Sequence, residues 1–123
     1  MKTIKLSDAS TPKLVELFAL ICVAQDEALL GNELAKFNRL FHRMQDVSVE
    51  LKQRDGDQRR ALLVLFDYPN IQVQLKAAKH TLAVAPLDAR RQIEAIAEAQ
   101  WFPQSGEAGM CLALIDDGTF KPT

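Results

Sequence analysis

His42 lies four residues before Asp46, which puts both on one face of a helix at a spacing a metal could use. A metal site needs three or four ligands, and no second His-rich helix supplies them, so the pair reads as surface polarity and no metal is expected. Cys111 follows Gly106-Glu107-Ala108-Gly109-Met110 near a helix start, where the helix dipole favours a thiolate. Met110, Leu112 and Leu114 flank it, and no His is placed to orient it, so it reads as a core thiol; Cys22, inside an apolar run, reads the same way. Gly106-x-x-Gly109 is too short for a phosphate loop and no strand precedes it. The carboxylates form no acid and base pair. No catalytic residue, no cofactor and no enzymatic activity are expected.

The remaining chemistry is basic. Lys and Arg outnumber acids by eleven to six between Lys36 and Arg91, whereas acids prevail by five to three before it and by five to one after it. Arg59 and Arg60, Lys76, Lys79 and His80, and Arg90 and Arg91 are the candidate contacts for a partner or a phosphate. The net charge of -1 hides this segregation. Asp116-Asp117 places acids at a helix C-terminus, where the dipole disfavours them, and so asks for a Lys or Arg elsewhere.

Helices must position these groups. Thr11-Pro12 makes a cap and a first helical residue, opening a helix to about Leu30 that is apolar on nearly every side and therefore buried, at the centre or in a dimer interface. Gly31-Asn32 ends it and caps a second helix to about Arg54, whose stripe of Leu34, Phe37, Phe41, Met44, Ser48 and Leu51 faces a neighbour. Glu50 and Arg54 form a favourable pair one turn apart. Arg54-Asp55-Gly56-Asp57 breaks the chain before a short helix over Gln58 to Phe66. Tyr68-Pro69-Asn70 caps a fourth to about Val84, Pro86 opens a fifth to about Gln100, and the last covers Gly106 to Asp116. Trp101 and Phe102 at the joint read first as core plugs, with an exposed recognition patch as the alternative, and Phe120 as a pin for the tail.

No stretch alternates as a strand does, so the fold class is all-α with about six helices. At 123 residues, 48% apolar and 25% charged, the chain fits a single domain over residues 1–123 without metal or disulfide. Two lone cysteines suit a reducing cytoplasm. Lys2, Lys5 and Lys13 ahead of Leu17 to Ala24 mimic a signal peptide, but Asp8, Pro12 and Glu16 interrupt the pattern and the run is too short to span a bilayer. A soluble, complete protein with no membrane partner is the expectation.

An internal repeat sharpens this. Asp57-x-Arg59-Arg60-x-Leu62-x-x-Leu65 returns as Asp88-x-Arg90-Arg91-x-Ile93-x-x-Ile96, and each copy is followed by an aromatic residue, Pro and an amide. The period fits helical hairpins, here about 57–84 and 88–117, each covering the apolar face of the other. Asn70-x-x-Val73-x-x-x-Ala77-Ala78-x-x-x-Leu82 resembles the inner helix of a HEAT repeat, with Gln74 where that class carries Arg. KAAKHTLAVAP, WFPQSGEAGM and GTFKPT also resemble a bacterial family of small HEAT-like proteins described as a domain of unknown function. The resemblance implies HEAT/ARM-like stacked hairpins forming an α-α superhelix, and no activity. Such arrays mostly bind things, so a protein-interaction module, partnered by another protein or by itself as a homodimer, is the leading expectation. Nucleic-acid binding along a basic edge is the first alternative, and a toxin-neutralising immunity protein the second.

Overall fold

The computed structural model describes residues 5–123, so Lys2 and the first part of the Met1 to Ser10 lead lie outside the described residues. The regular structure among those residues is all helical, with no strand, and they divide into two compact units, one within Met1–Ala61 and one within Leu62–Thr123.

The first unit pairs α1 (Thr11–Leu30) with α2 (Leu34–Gln53), after a 3-10 turn at Leu6–Asp8. The cap of α1 is Ser10, one residue earlier than expected: its side chain accepts from the Lys13 amide at 3.2 Å, and Pro12 sits in the first turn where no N–H is missed. Leu14, Phe18, Ile21, Cys22 and Ala28 of α1 bury against Leu40, Met44, Val47 and Leu51 of α2. The Gln25 amide donates to the Met44 sulfur at 3.5 Å. Between the helices Asn32, not Gly31, takes the left-handed conformation (φ 55°), and Glu33 precedes α2 without a side-chain cap. Asn32 is therefore a turn residue and not the cap of α2.

Arg54 closes this unit. Its Nε donates to Glu50 at 2.9 Å, as the four-residue spacing expects, and its other nitrogens reach Thr11 Oγ1 at 3.2 Å and the carbonyls of Leu6 and Ala9 at 3.0 and 2.6 Å. One guanidinium thus fastens the end of α2 to the start of α1.

Gln58–Asp67 is a 3-10 helix of ten residues, long for that geometry, and the boundary between the units falls inside it. The second unit is α3 (Ile71–Thr81), α4 (Pro86–Glu98) and α5 (Gln104–Asp116). Asn70 caps α3 as its sequence suggests, accepting from the amides of Gln72 and Val73 at 2.9 and 3.1 Å. Leu75, Ala78 and Leu82 meet Ala89, Ile93 and Ile96 of α4 and Ala108 and Cys111 of α5, with Phe66, Ile71 and Leu112 at the margin. Each helix contributes residues three or four apart, one stripe per helix. Ala77 and Ala78 are fully buried, and Ala78 belongs to this core.

Polar groups hold this packing in register. Gln104 donates to Gln72 at 2.9 Å between α5 and α3, both buried. Gln74 donates to the Tyr68 carbonyl at 2.8 Å and accepts from Gln92 at 3.3 Å. Ser105 Oγ donates to the Ile96 carbonyl and accepts from the Trp101 amide, each at 2.7 Å, locking the joint between α4 and α5.

Candidate functional site

The basic residues singled out in the sequence fall in different settings. Arg59 and Arg60 belong to the first unit, and Lys76, Lys79, His80, Arg90 and Arg91 to the second. Arg59 is buried and clamps Asp57 with two hydrogen bonds of 2.9 and 2.6 Å, which hold that carboxyl below its usual range. Its counterpart in the repeat behaves otherwise: Arg90 leaves Asp88 and grips Asp116 at 2.9 and 3.1 Å, with Glu94 at 3.3 Å. That pair answers the question posed by acids at the end of α5, and it holds the Asp116 carboxyl low. Arg60 and Arg91 are exposed, and His80 is half-buried.

Lys76 and Lys79, one turn apart on α3, converge on a single oxygen of Glu107 in α5, at 2.6 and 3.0 Å. Lys76 is 5% exposed. It is not a surface cation. The sequence's segregation of charge is thus resolved inside the second unit, where the acidic end supplies Glu107 and Asp116 to cations of the basic middle. A phosphate backbone would have to displace these carboxylates before it met Lys76, Lys79 or Arg90.

A cleft of about 250 Å³ opens beside this triad, lined by Lys79, Glu107, Met110, Cys111, Leu114 and Phe120. Gly118 shapes its rim. At φ +82° it turns the chain back, so that the Phe120 amide donates to the Leu114 carbonyl at 3.0 Å and the Phe120 ring lines the cleft. Burial raises the Cys111 thiol above its ordinary value, with Lys79 pulling the other way, so at neutral pH it lines the cleft as a thiol.

The second surface feature is apolar. α5 carries apolar or small residues on all sides but buries only the face of Gln104, Ser105, Ala108 and Cys111. Gly106, Met110 and Ala113 point the other way, at intervals of four and three residues. The Phe102 ring lies over Gly106, where an added Cβ would stand 3.6 Å from it. Trp101 and Phe102 are 65% and 69% exposed, and Met110 is 62% exposed. The aromatic pair is therefore a surface feature and not the core plug that a helix joint suggests. Phe102, Gly106, Met110 and Phe120 make a strip along α5.

His42 and Asp46 are both exposed, and the His42 ring meets Phe41 edge-on at 5.9 Å. Among the described residues no group of three or more His, Cys, Asp or Glu is placed to hold a metal, and no helix is long and apolar enough to cross a membrane.

A family model described as a domain of unknown function, DUF2019, matches residues 12–116. The chain is also similar to a solved structure, the protein RPA1889 from Rhodopseudomonas palustris CGA009, at 61% identity over 98% of this chain and 100% of that one, with a TM-score of 0.95. No curated protein matches it.

Proposed function

The chain belongs to the DUF2019 family, and from that premise we propose that it is a non-enzymatic bacterial protein-interaction module of the HEAT-like kind, whose partner docks on the outward face of α5. One observation carries this reading: Met110 on α5, with Trp101 and Phe102 just before the helix and Phe120 just after it, stands exposed while the other face of α5 is packed. Isolated apolar residues are ordinary on a surface, but a contiguous aromatic and Met strip is the composition of an interface core. The packing of α4 on α5 supports the comparison with a helical hairpin for the copy over 88–117. A cytoplasmic setting is part of the same reading, supported by Cys22 and Cys111 as buried free thiols.

The test is sedimentation of the purified protein, alone and with host lysate fractions, against a Phe102→Ser/Met110→Ser variant. The wild type sediments as a dimer or with a retained host protein, and the variant as a monomer. A wild type that remains monomeric and retains nothing at physiological salt contradicts the proposal.

A further inference from the structure

Two ammonium groups share one carboxylate at the inner end of the cleft. Glu107 accepts from both Lys76 and Lys79 through the same oxygen, leaving the triad with one unit of positive charge next to a largely apolar wall. An ammonium carries three donors, and Lys79, its side chain 29% exposed, spends one on Glu107. Lys76 is too deep to serve a visitor, so Lys79 is the cation at the cleft. Beyond it stand Met110, Leu114 and Phe120, and the space between has room for roughly eight water-sized groups. That is below the size of a drug-like site and far below a peptide groove.

We propose that this cleft binds a small organic carboxylate with a short unbranched apolar body, its head group on Lys79 and its chain against Met110, Leu114 and Phe120. Charge decides the sign of the ligand: an anion neutralises the surplus ammonium, whereas a cation would add to it in a partly desolvated place. Size decides the length. A six-carbon carboxylate has eight non-hydrogen atoms and fills the space. Leu114 and Phe120 are tied by the backbone hydrogen bond after Gly118, so the apolar wall is formed before a ligand arrives. Met110 and Phe120 also belong to the strip assigned to a protein partner, but binding of a small molecule to the purified protein is read without that partner, so either reading can fail alone.

The chain has three methionines, which makes methyl-labelled methionine a sparse reporter: Met110 lines the cleft and Met44 is buried in the first unit. Hexanoate is the probe. Titrated into the full-length protein, it should shift the Met110 methyl signal saturably and leave Met44 in place, while hexylamine at the same concentrations should not. Lys79→Gln removes the charge without adding a labelled methyl, and should weaken hexanoate at least tenfold. Phe120→Ala, at a half-exposed tail position that leaves the helices intact, should weaken it as well. The proposal is overturned if the Met110 signal does not saturate, if hexylamine matches hexanoate, or if either variant binds hexanoate with unchanged affinity. Retained helical circular dichroism and a cooperative unfolding transition show in each case that the variant is folded, since Met44 reports only on the first unit.

Discussion

Replacing Glu107 with Gln removes the carboxylate that Lys76 and Lys79 share and leaves a nearly buried ammonium facing an amide. Burial alone would raise the Glu107 carboxyl, but the two ammonium groups outweigh it and hold the group below its ordinary range. A depressed folded value means that the stabilisation is complete above the unfolded glutamate value of about 4.3 and is lost as pH falls through the lower folded value. Wild type should therefore exceed Glu107→Gln in stability at pH 7, with the gap closing below about pH 4. Urea unfolding from pH 7 to pH 3 reads this directly, and parallel curves would refute it. Arg54→Ala removes a guanidinium with four acceptors and should cost about 1–3 kcal/mol, more than Glu50→Ala, because the carbonyls of Leu6 and Ala9 lose their donor too. Thermal and urea unfolding of the two variants compare them. At this scale the sequence is legible where partners are near: the Glu50 and Arg54 spacing announces their bond, and Asn70 announces its cap. The reach of Arg54 to groups 43 to 48 residues away leaves no local trace, and neither does that of Lys76 to Glu107, 31 residues on.

Helix starts follow from cap chemistry, and their errors have a common cause. Ser10 and Thr11 are both good caps and Pro12 fits either of the first two helical positions, so only the backbone decides that Ser10 accepts the Lys13 amide. Asn70→Ala should cost about 1 kcal/mol, with Asn70→Asp retaining most of it, as amide exchange in the first turn of α3 would show. In α5, residue types cannot say which side is packed, because Met110, Cys111, Leu112 and Leu114 are apolar in every direction. Cys111 turned inward and Met110 outward for a reason of geometry: α3 and α4 cover one face only. Trp101 and Phe102 escaped for the same reason. At the end of α5, Gly118→Ala forces a side chain into left-handed backbone and should cost about 1–2 kcal/mol while loosening Phe120 from the cleft. The Phe120 ring signals, averaged to a solvent-like environment, would show it; an unchanged environment would mean that other contacts hold the tail.

Within the second unit, three cations of the basic middle are paired internally. A basic middle and an acidic end suggest an electrostatic partner when read along the sequence, yet Lys76, Lys79 and Arg90 find Glu107 and Asp116 within the second unit. Net charge by segment is a property of the sequence, whereas a footprint is a property of a surface. Around α5 what stays exposed is apolar: Trp101 and Phe102 before the helix and Met110 on it. The all-helical class, the short joints and the burial of Ala77 and Ala78 were all readable from period, prolines and small residues. The interface was not, because burial of an apolar side chain depends on whether a neighbour exists. The most direct test places a photo-crosslinking residue at Trp101 and, as a control, at exposed Arg39 on α2, in the native host. A discrete adduct from position 101, lost when Met110→Glu is added and absent from position 39, is the outcome the account predicts. No discrete adduct at 101, or the same adduct from both positions, would contradict it.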